Sequence, residues 1–131
     1  MSFQSDIFDA INDSEAISAL IGERFFWDVA DGGTPPPYLV AQVVSGDGIT
    51  DHDGERPVSA SLVQFTVWAN GKAEAINVIA TVKSELEGVA LTGSSNTSLL
   101  YAGEQSTRDP DTRLFGEILE LRAVHTPNQP T

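Results

Sequence analysis

Ser59-Ala60-Ser61-Leu62-Val63-Gln64-Phe65-Thr66-Val67-Trp68-Ala69 is the stretch on which the fold turns. Its residues alternate, with Ser61, Val63, Phe65 and Val67 on one face and Leu62, Gln64, Thr66 and Trp68 on the other. A period of two marks a β-strand with one face toward a core. Immediately after it, Asn70 can cap a helix over 72–87, whose apolar stripe is Ala75, Ile79, Val82 and Leu86, widened by Ile76 and Val78. Gly88 stops that helix.

Upstream, Tyr38-Leu-Val-Ala-Gln-Val-Val44 predicts a second strand, apolar on both faces except at Gln42. Between Gly46 and Pro57 the chain is polar and rich in turn residues, so an exposed loop or flexible hairpin tip is expected there. Arg24-Phe-Phe-Trp-Asp-Val29 predicts a short strand, followed by the connector Asp31-Gly-Gly-Thr-Pro-Pro-Pro37, whose prolines lack ladder donors. Residues 5–21 carry Ile7, Phe8, Ile11, Ile17, Leu20 and Ile21 at helical spacing, with Ser5 or Asp6 as cap and Gly22 as terminator. Asn12-Asp-Ser-Glu15 interrupts that stripe, which means a bend or two short helices.

Downstream, residues 92–97 read as loop, and 98–106 and 114–124 as two strands joined across Arg108-Asp-Pro-Asp-Thr112. The expected architecture is α+β: a mostly antiparallel sheet of four to five strands, two helices on one face, in the order α-β-β-β-α-β-β. Residues 1–125 form one domain in this reading, and 126–131, with two prolines and no large apolar side chain, a disordered tail.

The chain has 131 residues, enough for one core that buries roughly two thirds of its unfolded surface. With no cysteine, it can hold neither a disulfide framework nor a thiol nucleophile. Its 19 acids against 7 bases give a net charge of −12. That sign opposes phosphates and anionic lipid, so neither nucleic acid nor membrane is an expected partner. The first six residues lack the basic flank and apolar stretch of a secretory signal.

Reactive constellations are weak. Asp47, Asp51, Asp53, Gly54 and Glu55 invite a calcium reading, but placing Gly54 at the glycine of an EF-hand puts Ile49 and Ala60 at ligand positions. His52 and His125 could join a carboxylate in a metal or acid–base site, yet no hydrolase or metalloprotease motif accompanies them. No catalytic residue, metal or cofactor is therefore expected. Trp27, beside the proline-rich connector, is the better aromatic for a contact with another subunit.

In several short stretches the chain resembles the tail-completion or tail-terminator family of long-tailed bacteriophages, prophages and gene-transfer particles. These are Gly22-Glu-Arg-Phe-Phe26, Pro37-Tyr38 leading to Gln42-Val-Val-Ser-Gly46, Val63-Gln-Phe-Thr-Val-Trp-Ala69 with Glu74-Ala75, the turn from Asp109 to Arg113, and Leu121 to His125. The acidic stretch 47–55 and the triple proline depart from the pattern.

The resemblance implies a structural protein of the virion tail, present in the host cytoplasm during assembly. It would form a ring, usually of six copies, on the head-proximal end of the tail tube, ending tube polymerisation and joining the tail to the head connector. Partners would then be other copies, the tube protein and connector proteins. The contact residues expected on this reading are Trp27, Pro36 and Pro37 for one neighbour, and Asp47, Asp51, Asp53, Glu55 and Arg56 for another ring or the channel. Glu120 and Arg122 on the last strand complete the set. Two alternatives stay open: a neck or head-completion protein on the connector side, and a small-molecule-binding protein or hydrolase using His52 or His125 with nearby carboxylates.

Overall fold

The computed structural model describes residues 3–50, 57–92 and 95–127. Helices α1 (Phe3–Asp13) and α2 (Glu15–Ile21) come first, so the interruption at 12–15 separates two helices. Ser14 is the reason. Its backbone is extended and its Oγ accepts from the Ile17 N–H at 3.2 Å, capping α2. The hydroxyl in turn donates to Glu85 Oε1 at 2.5 Å. Gly22, at φ 61°, closes α2 by donating its N–H to the Ser18 carbonyl at 2.8 Å. Ser5 and Asp6 lie inside α1, not at its cap.

The strands are β1 (Phe25–Trp27), β2 (Tyr38–Thr50), β3 (Pro57–Ala69), β4 (Ala90–Thr92), β5 (Ser95–Arg108) and β6 (Phe115–Pro127), with α3 (Lys72–Leu86) between β3 and β4. They form one sheet in the order β1-β2-β3-β6-β5-β4, with only the β1–β2 pair parallel.

Six strands and three helices replace the four to five strands and two helices expected. The added strand is β4, where Ala90, Leu91 and Thr92 pair with Ser98, Thr97 and Asn96. Residues 95–97, expected to be loop, therefore belong to a ladder, and Leu91 packs against the core. Residues 46–50 and 57–58, also expected to be loop, extend the β2–β3 ladder from Gly46↔Ser61 to Thr50↔Pro57. Pairing across strands overrides the turn preference of Gly and Asp there. Residues 51–56 lie outside the described set. At the other end β6 runs to Pro127, opposite Ser95, two residues into the stretch expected as a tail. Gly71, not Asn70, stands at the α3 N-cap, with no side-chain bond.

One core joins all three helices to a single face of the sheet. Val63, Phe65, Val67 and Ala69 of β3 and Leu119, Leu121 and Ala123 of β6 are fully buried against Ile7, Ile11, Ile17 and Ile21 and against Ala75, Val78, Ile79, Val82 and Leu86 of α3. Each large side chain so covered contributes about 1.5–3 kcal/mol. Ile76 lies off the stripe and is 45% exposed. Helix α1 packs on β4 and β5, yet its Phe8 ring lies 5.7 Å from that of Phe25 in β1, a span that the curl of the sheet permits.

Candidate functional site

The face of the sheet turned away from the helices is built in straight cross-strand rows. Tyr38, Trp68, Gly116 and Thr107 make one row, and Val40, Thr66, Ile118 and Gln105 the next. Gln42, Gln64, Glu120 and Gly103 follow, then Ser45, Leu62, Arg122 and Leu100. Tyr38, Val40, Gln42, Gln64, Thr66, Trp68, Thr107 and Ile118, with Asp28, Val29 and Ala30 at one side, line an open hollow of about 440 Å³. Its chemistry is amide, hydroxyl, aromatic and aliphatic, with the Asp28 carboxylate at one side. Such a surface offers hydrogen bonds and flat apolar area to a partner without a reactive group.

Gly116 makes the aromatic part of that row possible. A Cβ there would lie 2.7 Å from Thr107 Cγ2 and 2.8 Å from Trp68 Cζ3, too close for either to stay. Burial and the nearby Asp109 carboxylate push the Tyr38 hydroxyl above its usual range, so it remains a neutral donor.

Glu120 and Arg122 stand on this face, Glu120 half-buried and Arg122 exposed. Trp27 is half-buried at the sheet edge, edge-on to Phe25 with ring centroids 5.8 Å apart. Pro36 and Pro37 are half-buried and joined by a cis peptide, and the Pro37 carbonyl accepts from Arg24 Nε at 2.9 Å. These groups stand at two places, the β1 edge and the centre of the sheet. Asp47 belongs to β2 opposite Ala60, whereas Asp51, Asp53, Glu55 and Arg56 lie outside the described residues.

The open face was partly legible, since the alternation of Leu62, Gln64, Thr66 and Trp68 gives it directly. Its width was not. The rows need the registers of β2, β5 and β6, which residues far apart in sequence decide.

His52 also lies outside the described residues. His125 is half-buried at the far end of β6, its ring stacked on Phe3 at 4.0 Å and its Nε2 3.3 Å from Ser61 Oγ. Burial holds its pKa below the ordinary histidine value, so the imidazole is neutral near pH 7. A serine–histidine contact has the elements of a nucleophile and base, but Ser61 is only 7% exposed. The stacking of His125 on Phe3 joins α1 to the sheet. Among the described residues, no three of His, Asp and Glu gather as a metal site.

On the turn between β5 and β6, the Asp109 carboxylate accepts from the Asp111 N–H at 3.0 Å and from Thr112 Oγ1 at 2.9 Å. Those bonds hold its pKa below the usual range. Arg113 takes φ 62° beside it, and Arg108 lies over the Phe115 ring at 4.6 Å. On the α3 side, Lys83 bonds Glu104 at 2.9 Å and lies 4.5 Å from the centre of the Tyr101 ring.

Comparison with known proteins adds two findings. A family model described as "Tail completion protein gp17" matches residues 5–126. Among solved structures, a chain from the "Virion of native gene transfer agent (GTA) particle" has the same fold, with a TM-score of 0.79 at 19% identity over 95% of each chain. No curated protein matches the sequence.

Proposed function

The chain belongs to the tail completion protein gp17 family, and from that premise we propose that it is a structural tail protein that closes the head-proximal end of the tail tube as a ring and joins it to the head connector. The family match over residues 5–126, nearly the whole chain, carries the reading. The surface chemistry supports it. A cap needs closed symmetry and two unlike outer faces, one fitting the tube and one refusing a further tube ring. Helices on one side of the sheet and an open amide-rich face on the other supply unlike surfaces. Nothing in that task calls for a reactive group, and the neutral, shielded His125 fits a structural part.

Partners in this reading are other copies, the tube protein and connector proteins. Trp27 with Pro36 and Pro37 serves one neighbour, and Glu120 and Arg122 serve a face of the ring. The acidic stretch with Asp47, Asp51, Asp53, Glu55 and Arg56 serves the channel or a second ring. Six copies would bring about −72 formal charges, which discourages DNA from adhering to the wall.

Electron microscopy of tails assembled with and without the protein tests the proposal. Tubes of uncontrolled, greater length in its absence are the expected result. Tubes of normal length that fail only to join heads would place the protein on the connector side and reject the cap.

A further inference from the structure

Seven large apolar side chains are exposed among the described residues, and four of them gather at two places: Val43 (36%) and Val44 (51%) on β2, Leu100 (49%) and Tyr101 (50%) on β5. Both places are free sheet edges. Strand β1 pairs with β2 only at Leu39, Val40 and Ala41, and β4 pairs with β5 only at Asn96, Thr97 and Ser98. Beyond them, β2 from Gln42 and β5 from Leu100 have no further neighbouring strand on that side among the described residues. Each segment carries a bulge, at Val44 and at Ala102. Bulges interrupt an edge ladder and turn side chains outward.

The two segments stand level with each other. The row through Val43 passes Val63 and Leu121 to Tyr101, and the row through Ser45 passes Leu62 and Arg122 to Leu100. They also run in opposite directions, because three antiparallel pairings separate β2 from β5. A second copy set alongside with no shift along the strands therefore brings Val43 and Val44 against Leu100 and Tyr101. Zero rise is the condition for a closed ring instead of a filament.

Charge disfavours a two-fold contact between β2 edges. Residues 1–56 hold eleven acids against Arg24 and Arg56, and residues 57–131 hold eight acids against five cations. Beside the β2 segment is exposed Asp28, whose N–H bonds the Ala41 carbonyl. Beside the β5 segment cations and acids are mixed: Lys83 lies over Tyr101 and pairs with Glu104 and Glu87, Arg122 is in the row of Leu100 and Glu120 in the row of Gly103. Joining two β2 edges would set Asp28 against Asp28, whereas a β5 edge also offers it Lys83 and Arg122.

We propose that the Gln42–Val44 edge of β2 and the Leu100–Gly103 edge of β5 are the two halves of a head-to-tail contact between copies of this chain. This contact deepens the ring reading above and rests on it. It is a side-chain seam, bounded by β1 of one copy and β4 of the next.

Cross-linking tests it directly, because the chain has no native cysteine. A chain carrying Val44→Cys and Leu100→Cys, treated with a short bis-maleimide, should give a series of linked multimers ending at a closed species, while either single variant stays unlinked. Linked dimers from a single variant would reveal a two-fold contact and overturn the proposal. Multimers seen by sedimentation in the double variant without linkage would overturn this contact and leave the ring standing. A strict monomer, alone at high concentration and with tube protein, would overturn both. As a second measurement, Val44→Lys or Leu100→Glu alone should weaken self-association at least about tenfold, and the two together should restore it. Failure of the pair to restore association, with each chain folded by circular dichroism, counts against the seam.

Discussion

Gly116 and His125 show how much a single position on β6 can decide. Alanine at 116 forces the Trp68 ring or Thr107 aside, and overpacking of this kind costs about 1–3 kcal/mol. Gly116→Ala should therefore lower the urea midpoint with little change in slope, and alter the tryptophan emission. His125 sets a pH dependence. Its folded pKa is depressed by burial, so the unfolded chain binds the proton more readily. The stability it supports is full above the ordinary histidine value of about 6.5 and is lost as pH falls toward the lower folded value. Thermal unfolding followed from pH 7.5 to 5 should show a falling midpoint, and His125→Gln should flatten that fall above pH 5. The histidine itself was visible in the sequence, but its Phe3 and Ser61 partners come from the opposite end of the chain and from another strand.

Helices follow local rules closely here. The period of α3 named Ala75, Val78, Ile79, Val82 and Leu86 as core, and all five are buried, while Ile76 is the exception that faces solvent. Leu86→Ala should cost about 2–5 kcal/mol in chemical denaturation. Ile76→Ser, at an exposed position, should stay within about 0.5 kcal/mol. The join between helices is Ser14, which caps α2 and bonds Glu85 of α3. Ser14→Ala removes both, and a loss of about 0.5–2 kcal/mol is expected from the cap. Strand lengths were less legible than helix faces. Gly46, Asp47 and Gly48 carry turn chemistry yet pair with Ser61, Ala60 and Ser59, because a long β3 already presents its backbone groups to them.

At the scale of the molecule, the net charge of −12 opposes any association of copies. Salt screens that repulsion, with a Debye length falling to about 8 Å at 0.15 M. Self-association measured by sedimentation should therefore strengthen as salt rises from low values, the reverse of what a contact held by ion pairs would show. The same charge was plain from composition and makes phosphate backbones and anionic lipid unfavourable ligands. Where the charges and apolar groups fall on the surface was not plain. Val43, Val44, Leu100 and Tyr101 read in sequence as ordinary strand residues, and only the short reach of β1 and β4 leaves them uncovered.

Alternation and helical period, which depend on neighbours a few residues away, marked most of the core faces of the helices and of β3 from the sequence alone, with Phe8 and Ile76 as exceptions, and Gly22 and Gly88 marked where α2 and α3 end. Resemblance in short ordered stretches likewise identified the family. The number of strands, the reach of each ladder, the rows of the open face and the two free edges were decided by pairing between segments far apart in sequence, as Ser59 is from His125. Backbone hydrogen bonds must be satisfied wherever a partner strand is present, and no local propensity states which partner that will be.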